Sequence, residues 1–271
     1  FAEGIENVQK RVGLEAARAL YSLSRHGSEY VRREIEAGDP AIKMGEAWIV
    51  ALRHRDTGDL KSNRDMMARD YDEDFQFLST EQTREKLNSV RYFESISNPR
   101  ALHFHPLKYA LMLAREAEKN GASLHENSQA LGVQKLGNEW RVRCADGEVT
   151  AQHVVHCVSS LDRTIHKASG RAVLPVATYV AVTEPLTQDG VRTSAAVADT
   201  RRAGNYYRLI DGGRLLWGGR ITTRVSEPTR LAEEMKGDML ATYPQLGNPR
   251  IDYSWAGLMG YALHKVPLIG R

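Results

Sequence analysis

The sequence predicts an α/β unit interleaved with an α+β unit, and three observations carry that prediction. Between 101 and 158 the pattern passes through an extended stretch, an amphipathic helix, a short strand, a hairpin and an apolar run, which is α/β order. Beyond Arg163 strands follow one another across turn clusters with a single helix among them, which is α+β order. No internal repeat or low-complexity linker separates the two patterns, so the parts are expected to be interleaved.

Taken in order, 13–36 has a helical stripe of Leu14, Ala17, Leu20, Tyr21, Val31 and Ile35, with a weak point at Gly27 and a stop at Gly38-Asp39-Pro40. Residues 42–52 read as a strand or bent ribbon. A charge-rich helix over 59–74 has only Leu60, Met66 and Met67 as apolar members and suits a thin cover layer. Thr80 opens a short helix, and 92–104 is extended with a turn signal at Asn98-Pro99. Pro106 fits the first position of a helix whose apolar face is Leu107, Ala110, Leu111, Ala114 and Ala117, closed by Gly121. A strand over 123–126 follows, then hairpin turns at Gly137-Asn138 and Asp146-Gly147 around an alternating strand of Trp140, Val142 and Cys144. Residues 154–158 are nearly all apolar and read as a strand covered on both faces. Further strands are expected at 172–182, 195–198, 206–210, 214–218 and 251–255, with turns at Gln188-Asp189-Gly190 and Asp211-Gly212-Gly213. The helix between them, over 228–243, has Leu231, Met235 and Met239 on one face and Ser226 as its cap.

Composition excludes several classes. With 271 residues, 42% hydrophobic and 26% charged, the chain is globular and can bury a full core. A formal charge of +3 is too small and too dispersed to argue for nucleic acid or an anionic membrane. No apolar run approaches the roughly 20 residues of a membrane helix, and no signal-peptide pattern opens the sequence. Two cysteines, Cys144 and Cys157, cannot form a disulfide framework; free, buried thiols in a reducing, cytoplasmic setting are expected. The chain starts at Phe1 without Met and stops at Arg271 just after the apolar run 266–269, so both ends are expected to be cuts.

Few residues suggest chemistry on their own. His103 and His105 would face one side of a strand, but no third ligand stands at metal spacing, so no metal is expected. Ser159, Ser160 and Cys157 lack the frame of an activated nucleophile. Gly218-Gly219-Arg220 is either a close-approach site that presents a charge or a plain strand exit with a surface arginine. These residues alone support a two-part α/β chain with a pocket between its parts.

Five stretches in series, HFHPLKYALMLAREAEKNGASLHE, DGEVTAQHVVHCV, VLPVATYVAVTEPL, GGRLLWGG and SWAGLMGYALHKVPLIGR, resemble the flavin-dependent amine and amino-acid oxidase family. That group includes D-amino-acid, glycine and sarcosine oxidases, and the resemblance is strongest to the gamma-glutamylputrescine oxidase type. It implies an FAD-binding domain, incomplete here because no Gly-x-Gly-x-x-Gly loop is present, interleaved with an antiparallel substrate-binding sheet covered by helices. On that basis 1–100 bridges the two domains, 101–165 is part of the FAD-binding domain, 166–255 is the substrate sheet and 256–271 returns towards the cofactor. A longer parent would bind FAD and oxidise a small-molecule amine; the fragment itself is expected to hold little FAD and to be inactive.

The resemblance also assigns residues. Ala130 falls where the family pairs its backbone with adenine, and Cys157-Val158 falls where a small pair lies beside the cofactor; Val158 in place of glycine departs from that pattern. Met259 follows Trp255-Ala256-Gly257-Leu258 where glycine oxidase-like members have an arginine that clamps the substrate carboxylate. That change points away from a simple α-amino acid and towards a polyamine-type or N-substituted amine. Tyr206 matches a substrate-facing tyrosine, and Arg220 stands near the same mouth, where it could hold a distant carboxylate. Core packing is the other reading of Tyr206 and Met259. No catalytic acid or base is implied. A quinone-dependent amino-acid dehydrogenase and a flavin-free binding module of the same fold are the alternatives.

Overall fold

Gly13, with φ of 82°, splits the first helical stretch into α1 (Ile5–Val12) and α2 (Leu14–Gly38). α2 then runs through Gly27 unbroken, because one glycine costs only about 1 kcal/mol in a helix held by packing. There follow β1 (Lys43–Ala51), α3 (Asp59–Tyr71), β2 (Gln76–Leu78), α4 (Thr80–Leu87), β3 (Ser95–Phe104) and α5 (Pro106–Lys119). Next come β4 (Gly132–Leu136), β5 (Glu139–Arg143), β6 (Glu148–Ala151), α6 (Lys167–Ala172), β7 (Val173–Pro185), β8 (Ala196–Asp199) and β9 (Tyr206–Ile210). The chain closes with β10 (Arg214–Thr222), α7 (Leu231–Thr242) and β11 (Ile251–Ala262). This computed structural model describes residues 3–56, 58–161, 164–186, 190–201, 203–223 and 230–270. Ser226, most of the turn at Gln188-Asp189-Gly190 and Arg271 lie outside them.

Eight strands form one sheet in the order β11-β7-β10-β9-β8-β1-β3-β2, and β4-β5-β6 form a separate antiparallel sheet. Every pair in the large sheet is antiparallel except β1 with β8. The sheet is not confined to 166–255: β1, β2 and β3 build its far side, and β11 continues to Ala262. β1 is bent, with register shifts beside Ala47, which has φ of 71°, and Pro99 sits in the bulge opposite.

Alternation makes one face of this sheet dry. Ile49, Val197, Tyr207, Leu215, Trp217, Tyr179 and Ala181 point to a core that α7 closes with Leu231, Met235 and Met239. Burying each of these methionines contributes about 1.5–3 kcal/mol. Trp217 stacks on Tyr207 with ring centroids 4.6 Å apart, and the Tyr243 hydroxyl donates to that of Tyr207 at 2.9 Å. Val8, Ala17, Met67 and Tyr71 form a second cluster, which is the cover layer expected of α3.

Caps fix the helix ends. Ser79 Oγ accepts from the Gln82 N–H while the Gln82 side chain accepts from the Ser79 N–H, a reciprocal box at the start of α4. Ser79→Ala should lower unfolding free energy by about 1 kcal/mol in urea titration. At the end of α5 the N–H groups of Gly121 and Ala122 donate to the carbonyls of Glu118 and Ala117, with Gly121 at φ of 89°.

Three expectations fail around α5. Its apolar stripe buries nothing, with Leu107 62% exposed. Residues 123–126 and 154–158 are irregular, and Val155 is 82% exposed. A strand needs a neighbour to take its hydrogen bonds, and among the described residues none lies beside either segment. Cys157, within the second of these segments, is exposed, and Cys144, just after β5, is half-buried; both thiols are free. Among the described residues no helix is long and apolar enough to cross a membrane.

Candidate active site on the open sheet face

The face of the large sheet turned away from α7 carries the side chains alternate to the core. Strand register arranges them in rows. One row runs Ala198, Tyr206, Gly218, Val180 and Trp255; the next runs Arg208, Leu216, Val182 and Tyr253. On the other side of the first row come Thr178 with Gly257, and then Val176 with Met259.

Tyr206 is positioned by a missing side chain. A Cβ on Gly218 would lie 2.0 Å from the Tyr206 ring, so only glycine lets the ring cross that strand. The phenol then meets the Thr178 hydroxyl at 3.3 Å. Tyr206 stays 39% exposed and Trp255 43%, so together with Trp48 they present aromatic surface on a half-open face.

Met259 belongs to this face and is partly exposed, at the end where β11 meets the chain at 159–160. A Cβ on Gly260 would collide with Ser159 Oγ, at 2.4 Å, and come within 3.4 Å of Ser160 N. The loop that follows Cys157-Val158 therefore packs on the face of β11 opposite Met259, since successive side chains of a strand point to opposite faces.

Arg220 is elsewhere. A register shift after Gly219 and a φ of 56° turn it towards α7, where its guanidinium binds Glu234 and Asp238. It is not free to hold a substrate carboxylate. That expectation is corrected, because sequence spacing cannot show where the acids of α7 will land.

Arg208, two residues beyond Tyr206, was not anticipated. It is half-buried, and its Nε has no hydrogen-bond partner among the described residues. Loss of water lowers its pKa from the ordinary arginine value. The buried His103 donates from Nε2 to the Ser194 carbonyl at 2.8 Å, which leaves Nδ1 unprotonated and unpartnered. Burial first, and the Arg208 charge as well, push the His103 pKa down, so the imidazole is kept neutral. His105 caps α5 instead, and no metal-ligating cluster occurs among the described residues.

The residues expected near a cofactor fit part of one. The main-chain groups of Ala130 make no hydrogen bond among the described residues, while the Leu131 N–H donates to the Arg143 carbonyl at 2.7 Å and anchors the loop. The N–H groups of Cys157 and Val158 are likewise unpaired there. Free backbone groups of this kind suit the adenosine half of a dinucleotide.

The chain is 28% identical over 282 residues to a probable oxidoreductase, OrdL, of Haemophilus influenzae, covering 100% of this chain and 64% of that one. It is 27% identical over 278 residues to the gamma-glutamylputrescine oxidoreductase of Escherichia coli, covering 100% and 65%. The chain thus spans just under two thirds of these relatives. The crystal structure of L-proline dehydrogenase from P. horikoshii superposes with a TM-score of 0.77 at 17% identity, over 91% of this chain and 68% of that one, which shows a shared fold. The model of the DAO family, FAD dependent oxidoreductase, matches residues 6–271, and the chain belongs to that family.

Proposed function

We propose that this chain supplies the substrate-binding sheet and the adenine side of the FAD site in an oxidoreductase that acts on the C–N bond of an amine. Family membership across 6–271 carries this reading, and the open face with Tyr206, Trp255 and Met259 gives the amine a place to bind. Ala130, Cys157 and Val158 would hold FAD through their free backbone groups. FAD, when bound, supplies the two-electron acceptor for C–N oxidation.

The side chains orient and shield. Tyr206, fixed by Gly218 and Thr178, forms one wall of the amine site, and Trp255 forms another. Both exclude water, which favours the uncharged amine needed for oxidation. Met259 cannot bind a carboxylate, which supports an amine whose reacting carbon bears none, of the polyamine or N-substituted type. The exposed stripe of α5 and the unpaired segments 123–126 and 154–158 support a role for 101–165 as part of an FAD-binding domain that packs against further structure. Free thiols fit a reducing compartment such as the cytoplasm.

The full-length protein reconstituted with FAD should turn over members of an amine panel, producing hydrogen peroxide in air or reducing a dye. Peroxide identifies oxygen as acceptor; dye reduction alone identifies a quinone-type acceptor. A protein that stays colourless after reconstitution would show a flavin-free binding module.

A further inference from the structure

Resting on that reading of the open face, we infer that Arg208 binds a carboxylate at the end of the amine substrate remote from the reacting carbon. Three observations place it there.

First, Arg208 lacks an acceptor. Each of the other part-exposed arginines among the described residues is held by a carboxylate or a carbonyl. Arg208 has neither, and its Nε is buried. A guanidinium taken partly out of water and left unpaired is costly to keep unless an anion completes it. Its planar fork matches a carboxylate in a bidentate pair.

Second, among the described residues no carboxylate engages Arg208, and the nearby Arg214 is already paired with Asp252. Arg208 lies opposite Leu216 on β10, with Val182 beyond it. The neutral His103 is the titratable group that senses it. A substrate anion would meet one cation on an apolar face, where the attraction is screened less than in water.

Third, the order along the face gives the ligand its length. Along the open face Met259 is at one end, Tyr206 and Trp255 come next, and Arg208 and Tyr253 lie beyond them. From the Met259 position to the Tyr253 row is six strand residues, about 20 Å. An amine oxidised near Met259 would reach Arg208 only through a long chain, which selects a long aminocarboxylate over a simple α-amino acid.

The test compares a long ω-aminocarboxylate with its carboxamide on full-length, FAD-loaded enzyme, as wild type, Arg208→Gln and Arg208→Lys. The ratio of kcat/KM for the carboxylate over the carboxamide should fall about 10- to 100-fold in Arg208→Gln and less in Arg208→Lys, which keeps the charge without the fork. Carboxamide turnover reports that each variant is folded. Calorimetric binding of glutarate should weaken in parallel. An unchanged ratio, with amines still oxidised, overturns the role of Arg208 and leaves the proposed function standing. If wild type oxidises no amine, the proposed function fails. Glutarate binding then decides separately: loss in Arg208→Gln supports a carboxylate site, and no difference overturns it.

Discussion

Replacement of Trp217 by Ala should lower the unfolding free energy by about 3–5 kcal/mol, the largest stability loss expected for a single substitution here. Trp217 is fully buried at the middle of β10. It stacks on Tyr207 at an interplanar angle of 5° and meets the edge of Tyr243 at 86°. These rings join the sheet to α7, so the cavity left by truncation would lie between layers that neither can close alone. Denaturant titration should show a lower midpoint with an unchanged slope. Tyr207→Phe is the mild counterpart: it keeps the stack, removes one buried hydrogen bond and should cost about 1 kcal/mol. Equal losses for the two substitutions would mean that the hydroxyl pair, not the packed indole, holds α7 in place.

Gly218→Val should reduce kcat/KM for the amine about 100-fold, the penalty typical of a displaced positioning group. The valine fits a strand, but its Cβ would fall inside the space of the Tyr206 ring. The ring is partly exposed and can swing outward, breaking its contact with Thr178, so stability should change far less than in Trp217→Ala. Steady-state kinetics on the FAD-loaded protein, set beside its melting temperature, separate the two effects. Unchanged kcat/KM would remove Tyr206 from the site.

Much of the large sheet was legible in the sequence because local signals and tertiary packing agree there. β7 to β10 alternate with a two-residue period between Gly- and Asp-rich turns, and the Leu231, Met235 and Met239 face of α7 is the face that is buried. The short elements α1, β2 and α6 were missed because three to eight residues carry too little periodicity. Residues 154–158 were misread for another reason. An apolar run shows that a segment can be buried, whereas a strand also requires a partner for its backbone. Of the proposed site, resemblance pointed to Tyr206 and Met259, but it named Arg220, which α7 engages, and not Arg208. Both arginines sit on strands of one sheet, and what separates them is that Glu234 and Asp238 occur on the helix that covers only one face. Sequence order does not contain that information.

Anaerobic mixing of the full-length, FAD-loaded protein with a long-chain amine tests the central claim most directly. Bleaching of the oxidised flavin spectrum at a rate that saturates with amine concentration is the predicted result. A flavin spectrum unchanged by every amine tested, in protein that has demonstrably bound FAD, would contradict it.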